Sequence, residues 1–158
     1  MLFKAQWLKP FFVFLILTFL AAYSGSLFMP GLWYEGLIKP TLTPPNQVFP
    51  IAWTILYSLM VISMTWVYVL GHGTNAYKHA RNLFLAQLLL NALWSWLFFG
   101  LHQPLLGLVD IAFLWMLVIL MIYAFSRISM GAALLQIPYL CWLSFAAWLN
   151  WGILSLNV

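Results

Sequence analysis

The sequence predicts an all-α membrane protein, a bundle of five transmembrane helices with a capping loop between the first and second helices. Three observations support this prediction. Of the 158 residues, 66% are hydrophobic and only 5% are charged, whereas soluble chains carry roughly 25% charged residues. The apolar residues also fall into five runs, each approaching the roughly 20 residues that cross a bilayer core.

The five helices are predicted to form a single domain that covers residues 1–158. Their predicted ranges are 11–28, 48–70, 83–101, 105–125 and 132–156. The first range could instead be a cleaved signal peptide, because Ala22-Tyr23-Ser24 resembles a signal-peptidase site. The apolar run continues past Ala22 without a polar start to a mature chain, so the sequence favours a transmembrane helix.

The segment between the first two helices, residues 33–50, is rich in proline and bracketed by aromatic residues. Pro40, Pro44 and Pro45 restrict the backbone and remove amide donors, so residues 39–46 cannot form a regular helix. A stiff loop of this kind is expected to act either as the lid of a pocket or as a connector whose aromatic side chains lie among lipid headgroups.

The placement of lysine and arginine predicts the orientation. Five basic residues fall on one side of the predicted bundle: Lys4, Lys9, Lys78, Arg81 and Arg127. Only Lys39 falls on the other side. The positive-inside rule therefore places the N-terminus in the cytoplasm, and the capping loop and C-terminus outside the cell membrane. The net charge of +4 indicates topology and contact with anionic lipid rather than nucleic-acid binding.

Polar and aromatic residues recur at helical spacing inside three of the predicted helices. Each set lies on one helix face: Gln87, Asn91, Trp94 and Phe98 in the third helix, Trp142, Ala146 and Asn150 in the fifth, and Trp53 and Tyr57 in the second. Polar side chains at membrane depth turn away from lipid, so the three faces are expected to converge inside the bundle. There they either line a pocket or form interhelical hydrogen bonds around a filled core.

Asp110 is the one acidic residue predicted at membrane depth, in the fourth helix. Intramembrane carboxylates are often functional, but no acidic or histidine relay accompanies this one. A structural pairing is therefore favoured over proton coupling. The histidines and the single cysteine, Cys141, lack metal-ligand spacing, and no metal site is predicted.

Taken together, these strings resemble the TspO family, the tryptophan-rich sensory proteins and translocator proteins, also called peripheral-type benzodiazepine receptors. The matching residues extend from Trp33 almost to the end of the chain: Trp33-Tyr34, Lys39-Pro40, Pro44-Pro45, Phe49-Pro50, Trp53, Leu56-Tyr57, Gln87, Asn91, Trp94-Ser95, Phe98-Phe99-Gly100, Pro138-Tyr139, Trp142, Ala146, Asn150 and Asn157. The likeness is to the bacterial members, and it favours the pocket over the filled core.

The resemblance implies a homodimer in which the loop caps a cavity that binds porphyrins such as protoporphyrin IX and haem, with no obligatory cofactor. It also implies binding of drug ligands of the isoquinoline carboxamide and benzodiazepine types. The ligand-binding residues carried over by position are Trp33, Tyr34, Trp53, Tyr57, Gln87, Asn91, Trp94, Phe98, Trp142, Ala146 and Asn150. Some bacterial members promote slow, light- and oxygen-dependent degradation of protoporphyrin IX, a chemistry that would fall to Trp53 and Trp142.

One departure concerns sterols, which the mitochondrial relatives bind through a motif at the end of the fifth helix. Residues 154–158 contain neither tyrosine nor a basic residue, so any sterol binding is expected to be weak. Three functions remain compatible with the sequence. The first is a tetrapyrrole sensor or regulator, the second a transporter of porphyrins or other amphipathic molecules, and the third a structural partner of other membrane complexes. An ion-coupled carrier is disfavoured, because the chain has no internal repeat.

Overall fold

The computed structural model describes the backbone of residues 2–157 and the side chains of residues 6–157, so Met1, Val158 and the side chain of Lys4 lie outside it. The described chain forms seven α-helices: α1 (Leu2–Ser26), α2 (Leu32–Glu35), α3 (Val48–Gly71), α4 (Asn75–Ser95), α5 (Pro104–Ser126), α6 (Met130–Leu134) and α7 (Ile137–Leu156). A π-helical turn, Trp96–Gly100, extends α4. Five stretches are long and apolar enough to cross a membrane, which confirms the five-helix membrane fold.

Helix α1 begins nine residues before its predicted start at residue 11 and ends at Ser26 rather than at residue 28. It passes through Pro10, because a single interior proline removes one hydrogen bond and kinks a helix without having to end it. At its C-terminal end, the Ser24 and Ser26 hydroxyls donate to backbone carbonyls three residues earlier, at 2.8 and 2.7 Å. The Tyr23 carbonyl is one of the last four of the helix, so the Ser26 bond supplies a partner that the ending helix does not.

Helix α4 begins at Asn75, two turns earlier than the predicted start at residue 83. The Thr74 hydroxyl accepts a hydrogen bond from the Tyr77 amide at 3.1 Å and so caps the helix N-terminus. The basic residues Lys78 and Arg81 are therefore helical and extend the helix beyond its apolar span. Sequence reasoning placed them in a connection, because it equated the helix with the apolar run.

The C-terminal end of α4 widens into the π-helical turn. The Leu101 amide donates to the Trp96 carbonyl, five residues earlier, at 2.8 Å. One more residue per turn changes which side chains share a face. As a result, both Phe98 and its neighbour Phe99 line the interior cavity described below.

The fifth predicted helix, 132–156, is divided into α6 and α7 with a break at Leu135 and Gln136. Pro138 lies in the first turn of α7, where its missing amide hydrogen costs nothing. A continuous helix would place that ring against the carbonyl of Leu134. The Ser129 hydroxyl caps the N-terminus of α6 by accepting a hydrogen bond from the Ala132 amide at 3.3 Å. The short helix α6 therefore has its own start, and α7 begins separately after the break.

The long helices pack in the ring order α3, α1, α4, α5, α7, and α6 lies against α3 and α5. Helix α1 comes close to α4 at Gly25, where a Cβ would lie 3.2 Å from the Ser95 hydroxyl. A small residue at this position allows the two helices to approach closely. Between α3 and α7 the ring is joined by aromatic side chains, Phe49 and Trp53 against Tyr139 and Trp142.

The end of the bundle where α1 ends, α3 begins and α7 ends is called the capped end here, because the loop of residues 36–47 lies over it. Around the middle and the opposite end, large side chains fill the interior. Met60, Met64, Phe84, Met121 and Phe125 are all 0% exposed. The interior is therefore filled around the middle and at the opposite end of the bundle, and it is hollow at the capped end.

Asp110 is buried in α5, with 5% of its surface exposed. Its Oδ2 atom has no hydrogen-bond partner among the described residues. The structural pairing that the sequence favoured for Asp110 is not seen among the described residues.

Candidate ligand-binding cavity

A cavity of about 570 Å³ lies inside the capped end of the bundle. Its volume is within the roughly 300–1,000 Å³ that small-molecule sites occupy. All five long helices contribute to it from the same end, α2 adds Tyr34, and the loop before α3 adds Asn46. The wall is largely aromatic: Phe28, Phe49, Trp53, Tyr57, Trp94, Phe98, Phe99 and Trp142.

Trp53 of α3 and Trp142 of α7 meet edge to face across the gap between their helices. Their ring centroids are 6.4 Å apart and their planes make an angle of 79°. Trp53 also stacks on Tyr57, with centroids 5.2 Å apart. Separations of this size are typical of favourable aromatic pairs. The two indoles therefore form one continuous aromatic wall.

Asn91 of α4 lies at the centre of a hydrogen-bonded network that joins three helices. The Tyr57 hydroxyl donates to its Oδ1 at 2.6 Å, and its Nδ2 donates to the Tyr139 hydroxyl at 3.0 Å. Asn91 lines the cavity as well. The sequence offered pocket lining and interhelical hydrogen bonding as alternatives, but Asn91 does both.

Asn150 of α7 holds a second wall of the cavity. Its Oδ1 accepts from Trp94 Nε1 at 3.2 Å, and its Nδ2 donates to the Pro104 carbonyl at 2.7 Å. Trp94 in turn stacks on Phe98, with ring centroids 5.0 Å apart. The amide of Asn150 thus fixes the orientation of an indole in the cavity wall and joins α4, α5 and α7.

Of the remaining residues predicted to contact ligand, Tyr34 and Ala146 line the cavity, whereas Gln87 and Trp33 do not. Gln87 is fully buried one turn below Asn91, where its Nε2 lies 3.9 Å from the Met60 sulfur. It shares the helix face of Asn91, but at its depth the core is filled. Trp33 lies behind the wall.

Trp33 stacks on His102, with ring centroids 4.5 Å apart and planes 16° apart. Its edge-to-face contact with Phe98 has a centroid distance of 5.7 Å. Phe98 therefore separates Trp33 from the cavity. Successive side chains of the single turn α2 diverge, so Tyr34 lines the cavity and Trp33 supports its wall.

Several lining residues were not among the predicted site residues. They are Ala22, Gly25 and Ser26 from α1, Phe28 just after α1, Ile111 and Leu114 from α5, and Phe99 from the π-helical turn. Small and aliphatic residues look the same in a sequence whether they face a cavity or a neighbouring helix. The inward position of Phe99 depends on a π-helical turn, which departs from the regular 3.6-residue period.

The loop of residues 36–47 is attached to the C-terminal end of α7. Asn157 Oδ1 accepts from the Ile38 amide, and its Nδ2 donates to the Ile38 carbonyl, both at 2.9 Å. Pro40 packs directly on Gly152, where a Cβ would overlap the proline ring. These contacts, called the Asn157 latch here, hold the middle of the loop over the cavity.

A smaller depression of about 380 Å³ lies beside the loop, at the mouth of the cavity. It shares Pro30, Tyr34 and Asn46 with the cavity and adds Glu35 and Lys39. Burial raises the pKa of the Tyr34 hydroxyl, so this phenol stays neutral at physiological pH. The mouth therefore places two charged side chains next to an apolar interior.

Comparison with known proteins gives one consistent result. The model of the TspO/MBR family matches residues 11–156. The chain is 45% identical to the tryptophan-rich protein TspO of Chlorobaculum tepidum, over 85% of this chain and 87% of that protein. It is 44% identical to the tryptophan-rich protein TspO of Archaeoglobus fulgidus, over 90% and 94% of the two chains. It is also 35% identical to the translocator protein of Homo sapiens, over 91% and 88%.

Proposed function

The chain belongs to the TspO/MBR family of integral membrane proteins, and we propose that it binds porphyrins such as protoporphyrin IX and haem in the cavity at its capped end. The observation that carries this proposal is that three tryptophans from three different helices, Trp53, Trp94 and Trp142, line one cavity. A flat macrocycle gains contact area and favourable ring geometry against indoles. Flat drug ligands of the isoquinoline carboxamide and benzodiazepine types would use the same surfaces.

A sensing or regulatory role fits the shape of the interior better than a transport pore. The cavity occupies the capped end, whereas the opposite half is filled by side chains that are 0% exposed, among them Met64, Phe84 and Phe125. Passage across the membrane through this interior would require these side chains to separate. Binding at the capped end requires only that the loop open. Transport of porphyrins or other amphipathic molecules is the alternative, and a liposome flux assay distinguishes the two.

Slow photochemistry is the enzymatic part of the proposal. A bound protoporphyrin absorbs light, and dioxygen serves as the oxidant in its degradation. Trp53 and Trp142 would lie beside the excited ring, where their oxidisable indoles direct the oxidation toward a defined product. The protein itself supplies position and exclusion of water, and Trp53 and Trp142 are the candidate catalytic residues.

Membrane lipid surrounds the apolar outer faces of the helices, and the proposed assembly is a homodimer. Sterol binding is proposed to be weak, because residues 154–158 contain no tyrosine and no basic residue. The proposed orientation has the N-terminus in the cytoplasm and the capped end outside the bacterial cell membrane. A role as a structural partner of other membrane complexes would need no ligand, so ligand binding is the property to test first.

The direct test is a spectral titration of protein in lipid nanodiscs with protoporphyrin IX, comparing the parent with Ala146→Phe. Ala146 lines the cavity, and overpacking of this kind costs about 1–3 kcal/mol. We expect the variant to bind protoporphyrin IX roughly ten-fold more weakly, or worse. Cys141→Phe is the matched control, because Cys141 is exposed on the same helix. Equal affinity in all three folded proteins would contradict the cavity as the binding site.

A further inference from the structure

The mouth of the cavity carries one basic side chain, Lys39, held in a defined position. Its Nζ lies 4.7 Å from the centroid of the Tyr34 ring and donates to the Glu35 carbonyl at 3.3 Å. An ammonium group has three donor hydrogens, and these contacts leave donor capacity at the mouth. Within residues 2–157, Lys39 is also the only lysine or arginine on the capped side of the bundle.

Tyr34 connects this cation to the cavity. Its ring lines both the cavity and the depression at the mouth, so the cation lies over a ring that itself faces the interior. A group bound to Lys39 is therefore within one aromatic ring of the cavity. The phenol remains neutral, because burial raises its pKa, and contributes no competing charge.

The backbone on both sides of Lys39 is fixed by the Asn157 latch. Ile38, the residue before it, exchanges two hydrogen bonds with the Asn157 side chain. Pro40, the residue after it, packs on Gly152 of α7. A cation whose backbone is already positioned loses less entropy when it binds a partner. The latch thus presents Lys39 at the mouth rather than leaving it on a mobile loop.

We infer that Lys39 recognises the carboxylate of the ligand at the cavity mouth, so that the site selects molecules with an apolar ring body and an anionic edge. The inference rests on the proposed function. It adds the anionic edge of the ligand, a feature that the cavity alone does not select. A carboxylate buried without a partner among the rings of the wall would be strongly unfavourable. The ring body therefore enters the cavity, and the anionic edge stays at the mouth beside Lys39.

The charge of Glu35 is expected to affect the binding of an anionic ligand in the direction opposite to that of Lys39. Its exposed carboxylate lines the same depression, where it repels an anionic edge that approaches Lys39. Removal of this charge should strengthen the binding of an anionic ligand, whereas removal of the lysine charge should weaken it. The binding of a neutral ligand should respond to neither change.

The test compares protoporphyrin IX, a dicarboxylic acid, with its neutral dimethyl ester, in nanodiscs of phosphatidylcholine. The parent is titrated alongside Lys39→Gln, Lys39→Arg and Glu35→Gln. Lys9→Gln is the matched control, because Lys9 is exposed at the opposite end of α1. For each protein, the ratio of the two dissociation constants is the quantity compared, since it cancels the partitioning of each ligand into lipid.

We expect Lys39→Gln to weaken diacid binding by about five-fold, the size typical of a partly exposed charged pair, and to leave ester binding unchanged. Lys39→Arg should keep most of the preference, Glu35→Gln should increase it, and Lys9→Gln should not alter it. If both ligands bind and the ratio is the same in the parent and in Lys39→Gln, the role of Lys39 is wrong and the cavity stands. If neither ligand binds the parent, the proposed function fails and the inference falls with it.

Discussion

Individual side chains in the cavity wall perform structural and lining roles at the same time. Asn91 uses both ends of its amide, accepting from Tyr57 at 2.6 Å and donating to Tyr139 at 3.0 Å. A buried amide that lacks such partners would be costly. A cavity that is open to ligands inside a membrane therefore needs its polar lining residues bonded to one another. This keeps the ligand-facing surface effectively apolar.

The photochemical role of two indoles can be tested one residue at a time. In nanodiscs, Trp53→Phe and Trp142→Phe should bind protoporphyrin IX within a few-fold of the parent, because phenylalanine retains an aromatic face. Both variants should lose the defined photoproduct when illuminated in the presence of oxygen. Absorbance spectra and mass spectrometry of the extracted pigment give the rate and the product.

Trp148→Phe is the matched control for this experiment, because Trp148 is exposed on the same helix as Trp142. It should degrade protoporphyrin IX at the rate of the parent. Degradation to the same product at the same rate by the Trp53 and Trp142 variants would remove the catalytic role. The binding role would then stand alone.

At the scale of elements, two local departures from regular helix shape the site. The π-helical turn Trp96–Gly100 lets the adjacent residues Phe98 and Phe99 both line the cavity. The break between α6 and α7 places Pro138 in the first turn of a new helix. Without the first departure a regular helix would place a different set of side chains inward, and without the second it would place the Pro138 ring against the carbonyl of Leu134.

The Asn157 latch predicts how the loop is held closed. Asn157→Ala removes two hydrogen bonds to Ile38, each 2.9 Å long, and exposed bonds of this kind are worth about 0.5–1.5 kcal/mol each. We expect faster hydrogen exchange in the loop of residues 36–47 and a several-fold faster dissociation of bound protoporphyrin IX. Exchange mass spectrometry and stopped-flow displacement measure the two effects.

Ser155→Ala is the control for the latch, because the Ser155 hydroxyl bonds only within its own helix, to the Trp151 carbonyl. It should leave both rates unchanged. Identical loop exchange in Asn157→Ala and the parent would show that the packing of Pro40 on Gly152 holds the loop without help from Asn157.

At the scale of the whole molecule, the bundle is divided into a hollow capped end and a filled opposite end. The outer faces carry many large apolar side chains, among them Ile55, Ile62 and Phe113, as expected for helices in contact with lipid. The cavity opens toward the side on which Lys39 is the sole basic residue among the described side chains. Under the proposed function, the orientation of the chain would decide which compartment the cavity mouth faces.

Accessibility labelling tests the orientation. Single cysteines at exposed positions near opposite ends of the bundle, Thr41→Cys in the capping loop and Lys78→Cys in the first turn of α4, are introduced into a Cys141→Ser background. The positive-inside rule predicts that a membrane-impermeant maleimide labels position 41 in intact cells and position 78 only after permeabilisation. Labelling of position 78 alone in intact cells would reverse the orientation, and labelling of both would contradict the membrane fold.

The sequence alone was sufficient to predict the membrane fold, the number of spanning helices and several of the polar and aromatic residues that face the bundle interior. Apolar runs of bilayer length leave a chain few choices, because every backbone polar group must be satisfied inside lipid. Helical spacing then places Asn91, Trp94, Trp142 and Ala146 on inward faces. All four line the cavity.

Only the tertiary structure decided how deep each inward residue lies and what it contacts. Gln87 shares a face with Asn91 but lies in the filled core, and Trp33 is separated from the cavity by Phe98. Helical periodicity predicts the direction in which a side chain points around the helix axis. Whether that side chain lines a cavity also depends on its depth along the axis and on the packing of neighbouring helices. The latch joins Ile38 to Asn157, 119 residues apart in sequence, a contact that no local pattern specifies because it forms only once the bundle has assembled.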